Sequence, residues 1–439
     1  MKYDFIPDSV SEHTNVYDVL KERGFIEQST DEEKVRELLQ NEKVKFYIGF
    51  DPTADCLYVG HFMQVIIMMY MQKFGHTPVV LLGGGTGFVG DPSGRTDMRQ
   101  MMTAETIESN CEAFKKLFDR FLDEGNNGVF EPGHENKEPE PGKAISVNNA
   151  RWLLPLNYID FIREIGSCFN VNTMLRAECF KQRMDREGGL TMFELNYMLM
   201  QSYDFMVMAR DFDVKIEFGG NDQWSNIIGG VDLTRKKTGK EVYGMTFSLL
   251  TNSEGKKMGK TQKGALWLDA DKTTPYEFYQ YWRNVGDADV EKCLRMLTFL
   301  PMDEVRRLAS LEGQEINKAK EILAFEVTKL VHGEDEAKKA QEAARAAFSG
   351  GGTDISAMPT TPFEAAKLAG EGMGVVNFIK ELGLVPSNRE GFMTIEQGGL
   401  KIDGEKVTDK KLQITADSFK DGKMLVEKGK KKKVVVELV

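Results

Sequence analysis

An alternation of apolar segments near the start of the chain limits its possible folds more than any other feature. Residues 44–50 form a short apolar run, which predicts a strand. Residues 62–74 are almost uniformly apolar and stop at Gly75, so their length predicts a buried helix. Residues 78–82 predict a second strand, which runs into glycines. This β-α-β order with apolar strands predicts a parallel sheet covered by helices.

The rest of the chain predicts further domains, because 439 residues correspond to about two to four of them. Residues 317–348 have the apolar spacing of a helical region. Glycines at 350–352 and prolines at 359 and 362 predict a linker, and residues 375–439 predict a small unit of helices followed by strands. Residues 124–143, rich in Gly, Pro, Glu and Asn, predict a surface insertion to which we assign no role.

The charge of the chain is unevenly distributed. A net charge of −11 and an isoelectric point of about 5.3 argue against a protein that binds nucleic acid over its whole surface, and we expect no DNA partner. Residues 401–433, however, contain eleven lysines and six acidic residues. A basic end on an acidic body predicts one module that binds a polyanion.

The features that govern localisation predict a cytoplasmic protein. No run of about 20 uncharged apolar residues occurs, so we expect neither a membrane-spanning helix nor a membrane partner. The first residues have neither the pattern of a signal peptide nor that of a transit peptide. Five cysteines are scattered without the spacing of disulfides or of a metal site, which fits free thiols in a reducing compartment.

Two segments have features suited to binding phosphate. Gly60-His61 stands at the start of the predicted apolar helix, where free N–H groups and partial positive charge favour an anion. A histidine in this place also fits a simple helix cap. Residues 255–261 include three lysines within five positions, which suits a cationic loop that closes over a triphosphate. Taken alone, this loop also fits a solvated surface turn.

Two further segments have features suited to binding an amino acid or a sugar. A predicted Met-rich helix beginning at Thr191 places Tyr197, Gln201 and Asp204 on one face. Polar groups on a buried helix need partners, which a ligand with hydroxyl, ammonium and carboxyl groups would supply. A polar face turned toward water is the alternative. Residues 219–224 place glycines, a carboxylate and an amide after a predicted strand, which fits either ribose binding or a simple turn.

Other common cofactor motifs are weak or missing. Residues 85–90 match G-x-G-x-x-G after a strand, as a dinucleotide site would require. However, Asp91-Pro92-Ser93-Gly94 follows at once and prevents an immediate helix. No glycine run ends in a Walker A lysine, and no His/Cys cluster has the spacing of a zinc site. We therefore expect no metal bound by the protein itself.

Six short motifs occur in order along the chain: Tyr47-x-Gly49-Phe50-Asp51-Pro52-Thr53, Gly60-His61, Gly90-Asp91-Pro92-Ser93-Gly94, Tyr197-x-x-x-Gln201-x-x-Asp204, Gly220-x-Asp222-Gln223-Trp224 and Lys257-Met258-Gly259-Lys260-Thr261. In this order and spacing they resemble the bacterial-type tyrosyl-tRNA synthetases, which are class I aminoacyl-tRNA synthetases. The resemblance extends to the predicted linker, and the tail resembles an S4-type RNA-binding domain.

The resemblance implies an α/β fold and a domain order. Residues 1–247 would form a Rossmann-like parallel-sheet catalytic domain with an inserted helical, dimerisation region. Residues 248–274 would form the lysine-loop linker and 275–348 an α-helical domain on the anticodon side. A linker at 349–370 would lead to an S4-like RNA-binding domain at 371–439.

The resemblance also implies an activity and partners. The protein would activate L-tyrosine with ATP to tyrosyl-adenylate and pyrophosphate, and would then transfer tyrosine to the 3′ end of tRNA(Tyr). Mg²⁺ would enter with ATP as part of the substrate. The tRNA would bind through the helical and S4-like domains, and the chain would form a homodimer.

A role for each matched residue follows from the resemblance. Tyr47 and Asp204 would hold the phenol of tyrosine, and Asp91, Tyr197 and Gln201 would hold its ammonium group. The residues implied to bind ATP are Asp51, Gly60, His61, Gly220, Asp222 and Lys260. The residues implied to act in catalysis are His61, Gln223, Lys257, Lys260 and Thr261.

The sequence departs from the family pattern at two places. Tyr58 stands where the family has the first histidine of its ATP motif, so we assign it no role. Gly259 and Thr261 stand where the general class pattern has serines, and the glycine would make the lysine loop more mobile.

Three alternatives remain open. A tryptophanyl-tRNA synthetase shares the ATP motifs but gives no reason for Tyr47 and Asp204 to meet at a phenol. A non-catalytic RNA-binding regulator built from the same domains would have no use for Lys257 and Lys260. A dinucleotide-dependent oxidoreductase would rest on residues 85–90 alone.

Overall fold

A computed structural model describes residues 15–91, 102–128, 139–185, 189–261, 264–348, 360–370, 372–429 and 432–439. Its strands are β1 (Ile26–Ser29), β2 (Lys45–Phe50), β3 (Thr77–Leu82), β4 (Ile145–Asn148), β5 (Val214–Gly220), β6 (Tyr243–Phe247), β7 (Lys260–Thr261), β8 (Gly264–Ala265), β9 (Thr360–Phe363), β10 (Met373–Gly374), β11 (Leu400–Ile402), β12 (Glu405–Lys406), β13 (Gln413–Ile414), β14 (Lys423–Lys428) and β15 (Lys432–Leu438). Its helices are α1 (Val16–Glu22), α2 (Glu32–Asn41), α3 (Val59–Lys73), α4 (Ala104–Phe121), α5 (Ala150–Leu153), α6 (Tyr158–Glu164), α7 (Val171–Met174), α8 (Glu178–Met184), α9 (Met192–Asp211), α10 (Trp224–Thr238), α11 (Pro275–Arg283), α12 (Val290–Leu297), α13 (Met302–Ala309), α14 (Ile316–His332), α15 (Glu334–Phe348), α16 (Val375–Glu381) and α17 (Asn388–Glu396).

The chain divides into two units. The first contains residues up to 273 together with 284–323, and the second contains residues 274–283 together with 324–439. The predicted helical region is confirmed as helical in α11 to α15. Its members are nevertheless divided between the two units, with α12 and α13 in the first and α11 and α15 in the second.

The main sheet of the first unit has the strand order β1-β6-β5-β2-β3-β4. Neighbouring strands from β6 to β4 run parallel, and β1 pairs with β6 in the antiparallel direction at one edge. The chain passes from β2 to β3 on one side and returns later to β5 on the other side. In open parallel sheets, ligands bind at the carboxyl ends of the strands where such a reversal occurs. The predicted parallel sheet is confirmed, and its β2–β5 region is where a site is expected.

Helix α3 is buried nearly all round, which explains why its sequence lacks a polar face. Eleven of its fifteen residues are buried, including Phe62 and Ile66. The helix starts three residues earlier than predicted because Tyr58 caps it from an extended conformation. It ends before Gly75, whose φ of +86° is readily adopted only by glycine.

The sheet of the second unit includes a strand that the sequence did not predict. Its order is β12-β11-β14-β15-β9, and β9 pairs in parallel with β15. The segment 349–370 was predicted to be a linker, yet Thr360–Phe363 forms β9; residues 349–359 lie outside the described residues. Pro362 is compatible with this strand because β9 lies at the sheet edge, where one side of the backbone needs no partner.

Helices and strands of the second unit pack around their own apolar cores. The predicted α-then-β order is confirmed by α16 and α17, which precede β11 to β15. Phe378, Ile379 and Val426 are buried in one core. Ala343 of α15 packs with Leu425 and Val435 in another.

The structure also bears on membrane spans, the cysteines and the predicted surface insertion. The described residues contain no helix that combines the length and the apolar character needed to cross a membrane. Cys56, Cys111, Cys168 and Cys293 are free thiols, of which only Cys168 is not fully buried. Residues 129–138 of the predicted insertion at 124–143 lie outside the described residues.

A buried arginine joins the first helix to a distant part of the first unit. Arg23, 1% exposed, donates hydrogen bonds to the backbone carbonyls of Arg295 (3.0 Å), Thr298 (2.9 Å) and Leu300. Its guanidinium also lies 5.2 Å from the ring centroid of Tyr70. Because these carbonyls lie in the last turn of α12 and just after it, Arg23 satisfies acceptors that the helix itself leaves open.

Replacing Arg23 by methionine keeps an apolar stem but removes the guanidinium donor from all three carbonyls, of which that of Thr298 still accepts from the Tyr70 hydroxyl at 3.2 Å. We expect the free energy of unfolding of the first unit to fall by about 3 kcal/mol. Urea denaturation followed by circular dichroism measures this loss. The control is Arg235→Met, because the Arg235 side chain is 71% exposed, and its change should stay within about 0.5 kcal/mol. Equal losses in both variants would contradict an anchoring role for Arg23.

Candidate active site

One cavity of about 620 Å³ opens at the carboxyl ends of β2, β3 and β5. The structure brings twelve of the fourteen predicted site residues to its wall: Tyr47, Asp51, Gly60, His61, Asp91, Tyr197, Gln201, Asp204, Gly220, Asp222, Gln223 and Lys257. The other two, Lys260 and Thr261, form β7, and their side chains lie outside the described part of the chain. Six separated motifs therefore meet at one cavity.

Asp204 is a buried carboxylate with two strong donors. Its Oδ1 accepts from Trp152 Nε1 at 2.6 Å, and its Oδ2 accepts from Asn149 Nδ2 at 2.8 Å. Asn149 is itself fixed, because its Oδ1 accepts from the backbone N–H of Gly85 at 2.7 Å. Burial raises the pKa of Asp204 to about 8, and the two donated bonds act against this rise.

Tyr47 and Glu217 lie side by side on adjacent parallel strands. They are register partners between β2 and β5, and both line the cavity. Burial raises the pKa of Glu217 to about 7 and that of Tyr47 well above 10. Among the described residues, Tyr47 Oη and Glu217 Oε2 have no well-aligned hydrogen-bond partner, although the two side chains lie close enough to shift each other's pKa. A ligand with polar groups would satisfy both atoms.

Asp51 links the end of β2 to α9. Its Oδ2 accepts from the Tyr197 hydroxyl at 3.1 Å, and its Oδ1 accepts from Thr86 Oγ1 at 2.8 Å. A Cβ atom at position 83 would overlap both Asp51 and Thr86, so Gly83 makes this approach possible. The ATP candidate Asp51 and the tyrosine candidate Tyr197 are thus in direct contact.

A line of hydrogen bonds, which we call the amide network, joins Glu217, Gln201, Asn226, Gln223 and Asp91. Gln201 Nε2 donates to Glu217 Oε1 at 2.9 Å. Asn226 Nδ2 donates to Gln201 Oε1 at 2.9 Å and to Gln223 Oε1 at 3.1 Å. Gln223 Nε2 donates to Asp91 Oδ2. The network therefore connects candidate residues from three different motifs.

The start of α3 brings Gly60 and His61 to the cavity. The Nδ1 atom of His61 accepts from the Tyr58 backbone N–H at 3.4 Å, so a neutral His61 carries its proton on Nε2 and can donate from there. A Cβ atom at position 60 would lie 2.5 Å from the Tyr58 ring. The ring of Tyr58 covers this backbone, so a larger residue here would have to displace the ring. Tyr58 also lines the cavity, although the sequence analysis assigned it no role.

The lysine loop lies against the start of α3. Gly259 has a φ of +80°, and a Cβ atom there would come within 2.8 Å of Val59. Close packing thus gives a steric reason for the glycine that stands where the class pattern has serine. Lys257 lines the cavity, whereas the exposed Lys256 pairs with Glu254 at 2.8 Å.

The segment after β5 turns tightly into α10. Residues Asn221–Gln223 form a single 3-10 turn, and both Asp222 and Gln223 line the cavity. A Cβ atom at Gly219 would lie 2.9 Å from the Cβ of Gln223. The paired glycines of this motif therefore allow the start of α10 to pack against β5.

Sequence reasoning missed several residues of this site. Glu217 is a charged residue inside an apolar strand, and that contrast was a signal the sequence offered. Asn149 and Trp152 directly follow β4, at the carboxyl edge of the parallel sheet. Asn226, 2% exposed, gave no signal beyond its place near Gln223.

The G-x-G-x-x-G segment does not form a dinucleotide site, and most of the Gly90–Gly94 motif lies outside the described residues. Residues Thr86–Phe88 of the G-x-G-x-x-G segment form one 3-10 turn, and no long helix begins there. Pro92, Ser93 and Gly94 lie outside the described residues, and only Asp91 of their motif is placed. Within the described ranges, no group of three or more His, Cys, Asp or Glu side chains is arranged to hold a metal ion.

Comparisons with known proteins agree on one family. Residues 39–349 match the family described as tRNA synthetases class I (W and Y). Residues 354–436 match the Tyrosine–tRNA ligase SYY-like C-terminal domain. The chain is 57% identical over 426 residues to the tyrosine–tRNA ligase of Clostridium botulinum (strain Hall), covering 97% of this chain and 100% of that protein. It is 56% identical over 417 residues to that of Clostridium kluyveri (strain ATCC 8527), covering 95% and 98%.

Solved structures support the same assignment. The C-terminally truncated mitochondrial tyrosyl-tRNA synthetase of Aspergillus nidulans matches with a TM-score of 0.65 and 28% identity, covering 79% of this chain and 99% of that one. The tyrosyl-tRNA synthetase of Archaeoglobus fulgidus complexed with L-tyrosine matches with a TM-score of 0.53 over 74% of this chain and 100% of that one; at 17% identity it supports the fold alone. By sequence over nearly its whole length, the chain belongs to the tyrosine–tRNA ligase family of class I tRNA synthetases.

Proposed function

We propose that the cavity holds L-tyrosine and ATP together and that its residues divide between the two substrates as the motifs predict. The protein is a tyrosine–tRNA ligase, which joins tyrosine to its tRNA after activation by ATP. The meeting of six separated motifs at one cavity carries the proposal. The family assignment favours tyrosine over the alternatives of a tryptophan enzyme, an RNA-binding regulator and an oxidoreductase.

The phenol of tyrosine would lie between Asp204 and Tyr47. A hydroxyl can donate to the Asp204 carboxylate and accept from the unpartnered Tyr47 Oη. Trp152 and Asn149 hold Asp204 in place, so the acceptor is oriented before the substrate arrives. Phenylalanine would bring no hydroxyl to Tyr47 or Asp204, and the loss of these two hydrogen bonds fits the selection known for this enzyme family, a standard case that discriminates by about 10⁵ without editing.

The ammonium group would face Asp91, Tyr197 and Gln201. These residues offer a carboxylate, a phenol oxygen and an amide oxygen, which are all acceptors for an ammonium. This arrangement leaves the carboxylate of tyrosine near Gln223, where it can attack the α-phosphate of ATP. The P–O bond to pyrophosphate then breaks as the new C(O)–O–P bond forms.

The nucleotide would occupy the part of the cavity near α3 and the lysine loop. Gly60 and His61 lie at a helix N-terminus, which favours phosphate. Asp222 at the turn after Gly220 would accept from the ribose hydroxyls. Lys257 would neutralise the charge that develops on the pyrophosphate side, and we assign Lys260 and Thr261 the same role from their motif alone. Asp51 would link the two substrate sites, and Mg²⁺ would enter with ATP.

The tRNA would bind through the helical region and the C-terminal domain. Lys401, Lys406, Lys410, Lys411 and Lys420 are all exposed on this domain. Clustered lysines bind phosphates without reading sequence, as expected for contacts that position a tRNA. The free, mostly buried thiols support our proposal that the reaction takes place in the cytoplasm.

A homodimer would form through apolar side chains near the inserted helices. Helix α6 buries none of its own residues, yet Tyr158 is 65% exposed and Ile159 is 68% exposed. Leu154 and Met192 on neighbouring elements are also more than half exposed. Exposed apolar residues such as those of α6 mark an interaction surface, and a second copy of the chain is the partner we propose.

Replacing Asp204 by asparagine should weaken the use of tyrosine far more than the use of ATP. One lost hydrogen bond to a charged group is worth about 1.5–3 kcal/mol, so kcat/KM for tyrosine should fall about 10- to 150-fold. Tyrosine-dependent ATP–pyrophosphate exchange measures both parameters. A similar rise in KM for both substrates would remove Asp204 from the phenol site.

Unfolding at several pH values gives the control for the same variant. The pKa of Asp204 is raised in the folded protein, so its neutral form favours folding at low pH, and this contribution is lost as pH rises toward about 8. The stability of Asp204→Asn should therefore fall less between pH 5 and pH 8 than that of the wild type. A properly folded variant will show this flatter profile.

Replacing Lys257 by alanine should slow the activation step without changing tyrosine binding. A single preorganised contact to developing charge is worth about a hundredfold in rate. The matched control is Lys256→Ala, because this neighbouring lysine is exposed and paired with Glu254, and its rate should change less than about twofold. Single-turnover formation of tyrosyl-adenylate gives both rates; equal slowing would show that loop charge, not Lys257 itself, matters.

Replacing Ile159 by aspartate should convert the dimer to a monomer at micromolar concentration, because the charge would be buried without a partner. Light scattering coupled to size exclusion measures the mass. The control is Met393→Asp on α17, which exposes a similar apolar side chain (46%) in the C-terminal domain and should leave the dimer intact. A wild-type protein that is itself monomeric would refute the proposed dimer.

A further inference from the structure

The amide network runs between two carboxyl groups, Glu217 at one end and Asp91 at the other. Three amides, those of Gln201, Asn226 and Gln223, lie between them and are joined by hydrogen bonds of 2.9–3.1 Å. Glu217 and Asn226 are each 2% exposed, and neither belongs to a motif that pointed to tyrosine or ATP. The network therefore contains two buried polar residues whose purpose the substrate assignments leave unexplained.

The two carboxylates determine which way every amide in the network points. Gln201 turns its NH₂ group toward Glu217, whose ionised form only accepts, and its oxygen toward Asn226. Asn226 must then present its NH₂ group, whose two protons reach Gln201 and Gln223. Gln223 consequently turns its own NH₂ group toward Asp91, which again accepts. The carboxyl groups at both ends of the network therefore favour the same orientation of the three amides.

This direction matters because a glutamine can rotate its amide and exchange oxygen for nitrogen. When the amide oxygen of Gln201 faces the cavity, it keeps one lone pair available there after accepting from Asn226. If the NH₂ group of Gln201 faced the cavity instead, its partial positive charge would repel a cation. A rotated Gln201 would also place its oxygen against Glu217 and its NH₂ group against that of Asn226, two unfavourable contacts at once.

We propose that Glu217 and Asn226 are positioning residues that hold the Gln201 amide with its oxygen toward the ammonium group of the amino-acid substrate. The inference rests on the proposed role of Gln201 in binding that ammonium. Glu217 and Asn226 act from opposite sides of Gln201, and Glu217 lines the cavity wall while Asn226 lies behind it. Each of the two residues favours this orientation of the Gln201 amide by itself, so either one can partly replace the other.

The test compares two ligands that differ only in the ammonium group. L-tyrosine has it, and 3-(4-hydroxyphenyl)propionate lacks it, while both keep the phenol and the carboxylate. Their affinities for the full-length protein are measured by calorimetry, without ATP, in the wild type, Glu217→Met, Asn226→Leu and the double variant. Glu217→Gln is the conservative control, because its amide oxygen can still accept from Gln201.

The double variant should bind L-tyrosine at least about tenfold more weakly, the worth of one hydrogen bond to a charged group. This loss should exceed the product of the two single losses, because each single variant keeps one support for Gln201. Affinity for 3-(4-hydroxyphenyl)propionate should fall less than affinity for L-tyrosine in every variant, because a loss shared by both ligands in the Glu217 variants reports on the neighbouring Tyr47. Glu217→Gln should keep nearly wild-type tyrosine affinity.

Three results overturn the inference: equal losses for both ligands, which indicate a structural role; losses in the double variant that only multiply; or a Glu217→Gln variant as weak as Glu217→Met. Thermal unfolding of each variant confirms that the protein tested is folded. If the wild type prefers L-tyrosine over the deaminated ligand and the variants keep that full preference, the inference fails but the proposed ammonium site stands. A wild type that shows no preference defeats the proposed ammonium site itself.

Discussion

The structure depends on keeping acidic side chains inside a protein core. Asp204 and Glu217 are both fully buried, and burial raises the pKa of each toward neutrality. A buried carboxylate is tolerated only when donors surround it. Trp152 and Asn149 serve Asp204, and Gln201 serves Glu217. The donors come from elements far apart in sequence, so this single requirement fixes how β4, α9 and β5 meet.

Glycines make those close meetings possible. Gly83 allows Asp51 to approach Thr86, Gly60 lies beneath the Tyr58 ring, and Gly259 fits against Val59. In each case a Cβ atom would overlap a neighbouring group. These glycines matter at this site mainly because they leave room for a neighbouring group. They bring the starts of helices and the lysine loop close to one cavity, which a chain with larger residues could not do.

The part of the fold set by local sequence was predictable. The apolar run before Gly75 gave α3, and Thr191 with Glu194 gave the start of α9 through a capping box. The motif residues of the cavity were also found, because each motif carries its own chemistry. Residues defined only by a distant partner were missed: Asn149 is recognisable as a site residue only once Asp204 lies beside it. Strand β9 was missed for the same reason, because Pro362 favours a linker until β15 supplies the sheet edge.

The specificity of the site and the instability of the empty cavity have the same physical origin. Tyr47 Oη and Glu217 Oε2 have no well-aligned partner among the described residues, and a buried polar group left unsatisfied costs about 1–3 kcal/mol. A ligand can remove such a cost only if it brings a matching polar group to the right place. An amino acid without a phenol would bring no hydroxyl to Tyr47 and Asp204, and one without an ammonium would leave the cavity side of the amide network without a cation.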